Sequence, residues 1–324
     1  MSKILVTGGA GYIGGTVAQA LIDRGDRVVI YDSLVHAKRD AVPAGAEFVE
    51  GEVADLGRLE ALLAQGEFAG VMHFAALIEA GESMHRPELY FQNNAAAALI
   101  LFEAMLKKNV KRLVFSSTAA VYGEPESVPI REQAPLHPTN PYGESKLMVE
   151  RMLTWLNRIH GLRYASLRYF NVAGAIPGRG EAHEPESHLI PLVLDVALGR
   201  RKSIKIFGRD YSTDDGSCIR DYIHVRDLSS AHLLAFDALA ANDRLIYNLG
   251  NGRGFSVLEV VESARRVTGH PIPVEDAPRR PGDPAVLVAC SEKVSAELGW
   301  KPQYARLDEI VASAWEWHQR RYGL

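Results

Sequence analysis

The run Asn140-Pro141-Tyr142-Gly143-Glu144-Ser145-Lys146 holds two side chains suited to proton chemistry, a phenol and an amine four residues apart. Pro141 fits the first turn of a helix, where its missing N–H costs nothing, and Asn140 is a good N-cap. The spacing predicts a helix that continues through Leu147, Met148, Glu150 and Met152 to about Arg158. Tyr142 and Lys146 then share one face, close enough to work on one substrate. A nearby ammonium favours the phenolate and lowers a tyrosine pKa from its ordinary value of about 10 toward the range of a useful base. On a solvated face the same pair would do nothing, and the spacing alone does not separate the two readings. The elements that position the pair must do so.

Upstream, the β-branched strand Lys3–Thr7 runs into Gly8-Gly9-Ala10-Gly11-Tyr12-Ile13-Gly14-Gly15. Glycines 8, 11 and 14 allow a tight turn, close approach of a pyrophosphate and close packing of the next helix, expected from Tyr12 to about Arg24. The first amides of that helix would face phosphate. A second strand, Arg27–Tyr31, leads to Asp32, placed to accept hydrogen bonds from an adenosine ribose diol. An acid there favours NAD over NADP, because it repels a 2′-phosphate. The βα rhythm continues with a strand at Glu47–Glu50, then Glu52-Val53 where an adenine would lie, a helix near Asp55–Ala64, and a buried strand at Gly70–Phe74. Ala75-Ala76 are small enough for a cofactor to approach the backbone, and His73 reads as a core histidine. A long helix is expected from Pro87 to about Lys108, with Asn93-Asn94 inside it. The next strand, Lys111–Ser117, ends at Thr118. In a doubly wound sheet ligands gather at strand C-termini, so Thr118 could bond a reacting oxygen or merely cap local backbone.

Composition excludes several classes. The chain has 324 residues, 47% hydrophobic and 23% charged, with a net charge of −4. That length suits one large α/β unit or two domains, and the charge offers no footprint for nucleic acid. No apolar run approaches the roughly 18 residues of a membrane span. Cys218 and Cys290 lack CxxC or metal spacing. With no charged leader before Lys3, they point to buried thiols in a reducing cytoplasm. His183 and His188 lie among Glu181, Glu184 and Glu186, but without ligand spacing on a helix they read as a solvated loop, not a metal site.

Taken together, Thr7–Gly14, Asp32, the Ser116-Ser117-Thr118 strand end and Tyr142/Lys146 resemble the extended short-chain dehydrogenase/reductase family. Leu167–Asn171, Cys218–Leu228, Arg279–Asp283 and Leu298–Pro302 extend the likeness over nearly the whole chain, to members that epimerise UDP-hexoses. The resemblance implies an α/β fold: a doubly wound, parallel, Rossmann-type sheet in residues 1–173, to which about 222–250 return, and a smaller mixed α/β substrate domain in 174–324. It implies an NAD-dependent isomerase that interconverts UDP-galactose and UDP-glucose at C4, with Tyr142 as base, Thr118 as its hydroxyl partner and Lys146 on the nicotinamide ribose. It assigns Gly8, Gly11, Tyr12, Ile13, Gly14, Asp32, Ser33, Glu52, Val53, Phe74, Ala75, Ala76, Asn93, Tyr142, Lys146 and Tyr169 to the cofactor. The substrate falls to Thr118, Tyr142, Asn171, His188, Leu189, Phe207, Arg220, Arg280, Asp283 and Val286, with Leu287 one register away from the gatekeeper position beside C2. Arginine suits a diphosphate because its planar fork pairs bidentately with phosphate oxygens. The bland alternatives are a surface ion pair with Asp221 for Arg220 and a solvated loop for Arg280.

Some positions depart from the family pattern. Glu52 stands where many members have Asp, Ile78-Glu79 where some carry Lys, His188 where some have Asn, and Ala97 where Gly is frequent. A gatekeeper smaller than tyrosine is expected to admit UDP-N-acetylglucosamine and UDP-N-acetylgalactosamine. Gly174–Glu186 is expected to be loop, followed by a helix at Leu189–Arg200, and this region with 203–221 to form a lid over the sugar nucleotide. Ser256-Val257-Leu258-Glu259 is a capping box, and Leu307, Ile310, Val311, Ala314, Trp315 and His318 form the inner stripe of a last helix. The rival readings are other NAD-dependent UDP-sugar enzymes of the same family, a UDP-glucuronate epimerase, decarboxylase or dehydratase; dehydratase relatives typically carry an Asp-Glu pair after the strand-end threonine, whereas Ala119-Ala120 follow Thr118 here. A non-catalytic NAD-sensing module would have lost the Tyr or the Lys. By analogy the family implies a homodimer through the helices near 87–108 and 141–158.

Overall fold

The computed structural model describes residues 1–280 and 283–323. Pro281 and Gly282, in the middle of the Arg279–Asp283 motif, lie outside the described residues, as does Leu324.

Seven strands form the main sheet: β1 (Lys3–Thr7), β2 (Arg27–Asp32), β3 (Glu47–Glu50), β4 (Phe68–His73), β5 (Arg112–Thr118), β6 (Arg163–Tyr169) and β7 (Arg244–Leu249). Their order is β7-β6-β5-β4-β1-β2-β3, and β1 pairs in parallel with both β2 and β4. The winding direction therefore reverses beside β1, which in this architecture marks a ligand crevice at the strand C-termini. Ile4, Leu5 and Val6 are fully buried, as a strand covered by helices on both faces requires. Among the covering helices are α1 (Tyr12–Asp23), α2 (Leu56–Leu63), α3 (Ala97–Lys107), α4 (Pro141–His160) and α5 (Val225–Ala238). One core packs Leu59, Leu62, Leu101, Phe102, Met105, Val149 and Leu153 against Leu5, Val29, Leu113 and Phe115.

The long helix expected from Pro87 is a chain of three pieces. A single α turn (Pro87–Tyr90) passes through a π-helical stretch (Phe91–Ala96) into α3. π-Bulges are rare and are found mostly at functional positions. This one turns Asn94 inward to 2% exposure and leaves its neighbour Asn93 exposed.

By contact the chain divides into two units. The first comprises 1–123, 135–168 and 229–247; the second comprises 124–134, 169–228 and 248–324. The boundary expected at 173 thus falls after Arg168, because Asn171–Ala173 pairs with Tyr222–His224 in the second unit. Segment 124–134, counted by sequence with the nucleotide half, joins the second unit for a similar reason. Ile130 exchanges backbone hydrogen bonds with Val288 and Cys290, each 2.8 Å, and its carbonyl also accepts from the buried Asn248 amide at 2.9 Å.

Within the second unit, Ile219–His224 is flanked by Gly254–Ser256, Val286–Leu287 and Asn171–Ala173. Helices Leu189–Ala197, Val257–Thr268 and Leu307–Arg321 enclose Val193, Ile206, Tyr222, Val260, Val261, Ile310 and Val311. The capping box forms as spelled, Ser256 and Glu259 each bonding the other's backbone N–H. The stripe on the last helix is buried at Leu307, Ile310, Val311, Ala314 and His318, with Trp315 half-buried. Gly174–Glu186 is not all loop: Ala175–Ile176 and Arg179–Gly180 make a tight antiparallel hairpin around Gly178, whose φ of +77° glycine adopts without strain.

Candidate active site

Gly8 leaves β1 with φ +71°, and a Cβ there would lie 2.5 Å from the Ala75 amide nitrogen. A Cβ on Gly14 would collide with the Gly8 carbonyl. These two absent side chains let β1, the loop after β4 and the start of α1 converge into a cradle lined by backbone. Gly11 is the N-cap of α1 and Tyr12 and Ile13 open its first turn, whose amides point out of the helix. Asp32 closes the far side. Its carboxylate accepts from Ala10 N–H at 3.0 Å and Leu34 N–H at 2.9 Å, which fixes it at the end of β2 beside the cradle, with Ser33 next to it. The Tyr31 hydroxyl donates to the Glu52 carbonyl at 3.0 Å and shapes the turn leading to Val53. Phe74 donates its N–H to the Thr7 carbonyl at 3.0 Å and stacks near His232, carrying Ala75 and Ala76 past Gly8. A cradle that any Cβ would fill, a helix start and a fixed carboxylate suit a dinucleotide with a free ribose diol. His73 is a core residue as its apolar neighbours imply. Nδ1 lies 2.7 Å from Thr7 Oγ1, and burial pushes its pKa down to about 3, so the ring is neutral.

The Asn140 side chain accepts from Gly143 N–H at 2.8 Å and starts α4 where the sequence places it. Gly143 lies against the Ala120 carbonyl, so close that a Cβ would sit 2.6 Å from that oxygen. This contact brings Tyr142 to the C-terminal end of β5. There the Thr118 hydroxyl oxygen caps local backbone, accepting from Ala120 N–H at 3.1 Å, and the same side chain acts on the Tyr142 phenol. Tyr90 is fully buried and meets the Tyr142 ring edge-on at 6.5 Å.

Electrostatically the site differs from the expectation. Burial holds the Tyr142 pKa above its ordinary value; the Thr118 hydrogen bond opposes this, and Glu79 adds to it. Lys146 is not among the causes acting on Tyr142. It is 2% exposed, donates to the Ser116 carbonyl at 2.8 Å, and is itself pushed down to about 7 by burial. Desolvation is the largest influence on both groups, and the amine points to the strand backbone at Ser116.

Asn94 was not a candidate from sequence. Its Oδ1 accepts from Leu77 N–H at 2.9 Å, and its Nδ2 donates to the Leu77 carbonyl at 2.9 Å and Ser145 Oγ at 3.1 Å. It braces the loop after Ala76 against the residue preceding Lys146. The signal was present in the Asn93-Asn94 pair, but only the π turn shows which of the two points inward. Asn93 donates to Asn94 Oδ1 at 3.0 Å.

A second cluster lies within the second unit. Arg220 donates to the Ile219 carbonyl at 2.7 Å and to the Asp283 carboxylate. The surface pair with Asp221, the bland alternative for Arg220, does not form: Asp221 is fully buried and accepts from the amides of Asn251, Gly252 and Ala289 at 2.6, 3.1 and 3.0 Å. Burial raises the Asp221 pKa to about 6. The Arg280 guanidinium lies 4.2 Å over the Phe207 ring. Ile219 pairs with Val286 and Arg220 with Leu287, so Leu287 shares the face of Arg220 and Val286 that of Ile219. Asn171 is exposed at the start of its strand, and Tyr169, grouped with this unit, is nearly buried at the end of β6. His188 precedes Leu189, the first residue of its helix, with Nδ1 bonded to Glu186 at 2.8 Å. Among the described residues no group of three or more His, Cys, Asp or Glu could hold a metal ion, and both cysteines are buried free thiols. No helix among them is long and apolar enough to cross a membrane.

Residues 4–250 match the model of the NAD dependent epimerase/dehydratase family. The UDP-glucose 4-epimerase of Streptomyces lividans is 56% identical over 317 residues, covering 98% of this chain and 96% of that protein. A crystal structure of a UDP-glucose 4-epimerase superposes with a TM-score of 0.96 at 50% identity, covering 99% of this chain and 98% of that one. The Bifidobacterium longum UDP-glucose 4-epimerase, in complex with NAD⁺ and UDP, superposes with a TM-score of 0.94 at 37% identity, covering 99% of each chain. The matched stretch contains the cradle, Asp32, Thr118, Tyr142 and Lys146, and the chain belongs to the NAD dependent epimerase/dehydratase family.

Proposed function

We propose that the protein is a UDP-glucose 4-epimerase, interconverting UDP-galactose and UDP-glucose with NAD bound. The observation that carries this is the placement of Tyr142 beside Thr118 at the end of β5, where Gly143 packs on the Ala120 carbonyl, in a chain similar over nearly its full length to UDP-glucose 4-epimerases. Gly8, Gly11, Tyr12, Ile13, Gly14 and the Phe74–Ala76 loop hold the dinucleotide; Asp32 and Ser33 take the adenosine ribose, Glu52 and Val53 flank the adenine, and Asn93 and Tyr169 complete the set. NAD supplies a two-electron acceptor and donor for the hexose C4.

Tyr142 removes the proton from the 4-hydroxyl as C4 is oxidised, and Thr118 steadies the oxygen. Desolvation pushes the tyrosine pKa above its ordinary value. Lys146 would hold the nicotinamide ribose, and a bound oxidised nicotinamide would supply a positive charge that favours the phenolate. Asn171, His188, Leu189, Phe207, Arg220, Arg280 and Asp283 bind the UDP portion. Retained through UDP, the 4-keto sugar turns its other face and the same tyrosine returns the proton. Dehydration would need acids next to Thr118, where Ala119 and Ala120 stand.

The gatekeeper positions Val286 and Leu287 carry small aliphatic side chains, and we propose that UDP-N-acetylhexosamines are accepted as well. An exposed apolar stripe on α4 (Met148, Trp155 and Ile159), with Leu99 on α3, supports a homodimer through these helices. The cytoplasm, and galactose metabolism within it, is the proposed setting.

The test is proton NMR of the purified protein with UDP-galactose and no added cofactor. Growth of UDP-glucose signals to a steady ratio is expected; no change, even after NAD⁺ is added, would refute the activity. Undetectable turnover of UDP-N-acetylglucosamine in the same assay would sink the wider specificity.

A further inference from the structure

Tyr142, Lys146 and Glu150 recur every four residues along one face of α4, and the first two already have roles. Glu150 is 5% exposed and charged, an expensive group to bury. Its Oε1 accepts from Ser117 Oγ at 2.6 Å and from Arg168 Nε at 2.9 Å, and its Oε2 accepts from Arg168 Nη2 at 2.5 Å. Arg168, 2% exposed and on β6, also donates from Nη1 to the Tyr122 hydroxyl at 2.9 Å. Ser117 precedes Thr118 on β5, and Tyr122 ends the short turn Ala119–Tyr122 that follows it.

The network therefore grips the chain on both sides of Thr118 and ties it to the helix that carries Tyr142. A buried ion pair is a poor way to add stability, since apolar residues of similar size do as well or better. It is a good way to fix register, because a bidentate arginine–carboxylate fork accepts one alignment. One residue of slip along α4 is about 1.5 Å, enough to break the Thr118–Tyr142 hydrogen bond. We propose that Glu150 and Arg168 are positioning residues for the proton transfer, holding α4 in register with β5 so that Thr118 meets Tyr142. This rests on the epimerase reading above.

The experiment is Glu150→Met with Arg168→Met, which removes both charges together and roughly preserves volume. Positioning predicts a folded protein with full NAD content, KM for UDP-galactose within about threefold of wild type, and kcat lower on the order of 100-fold. The acid limb of the kcat/KM profile moves to higher pH, as Tyr142 loses the bond that favours its phenolate. Wild-type kcat and pH profile would overturn the proposal. So would KM or NAD content failing in step with kcat, which would mean a general structural role. If the double variant does not fold, Ser117→Ala decides: it cuts one tie between β5 and Glu150 and leaves the ion pair intact. A fall in kcat of about 3- to 10-fold at unchanged KM is expected, and unchanged kcat overturns the idea. Wild-type turnover and its loss in Tyr142→Phe, measured alongside, keep a failure of the epimerase reading separate.

Discussion

Gly8→Ala perturbs the cradle by one methyl group, and the structure allows the effect to be worked out. The new Cβ would sit 2.5 Å from the Ala75 nitrogen and 2.9 Å from both the Ala75 Cα and the Phe74 carbonyl carbon. Ordinary contact begins near 3.4 Å, so the loop after β4 must retreat by about 0.9 Å. All three neighbours are backbone, and no rotamer can absorb the strain. At φ +71° an alanine adds about 1–2 kcal/mol, and overpacking adds about 1–3 kcal/mol. Against a typical folding stability of about 5–15 kcal/mol the chain should still fold. Its cradle, however, would be displaced by a distance that ruins hydrogen bonds to a pyrophosphate. NAD released from denatured protein, measured per chain, is expected to fall well below one, and the urea midpoint to drop. A variant that retains one NAD per chain and unfolds with the wild-type midpoint would refute the cradle argument.

Tyr142→Phe keeps the edge-on packing against Tyr90 and removes only the phenol; kcat should fall by about 10²–10⁴-fold with NAD and UDP still bound, and near-normal turnover would refute the assignment. His73 offers a pH test. Its folded pKa of about 3 lies below the unfolded value of 6.5, so its contribution is full above pH 6.5 and is lost as pH falls toward 3. Between pH 6.5 and 5, wild type should lose about 1.5 kcal/mol more unfolding free energy than His73→Gln; equal losses in urea titrations would contradict a buried neutral ring. Trp155 and Ile159 are 60% and 67% exposed on α4. For the proposed homodimer, glutamate at both should lower the mass seen by light scattering from two chains to one, and a mass equal to wild type would refute an interface through this stripe.

Features built from near neighbours in the chain were legible by themselves. Asn140 bonds three residues ahead, Tyr142 and Lys146 are one helical turn apart, Ser256 and Glu259 cap each other, and the glycine turn follows β1 directly. Backbone geometry and helical repeat dictate all of these, and neither depends on the rest of the fold. Tertiary structure decided what depends on distant partners. Arg220 chose Asp283, 63 residues away, over its neighbour Asp221, which was drawn inward to satisfy three amides. A π turn, stabilised by Leu77 and Ser145, selected Asn94 over Asn93. The state of Tyr142 is the clearest case. The Tyr-Lys spacing pointed to a lowered pKa, whereas folding buried the amine, turned it toward Ser116 and left Tyr142 half-buried, where desolvation pushes its pKa up. Desolvation is a property of the whole packed environment, so no local spacing could have revealed its sign.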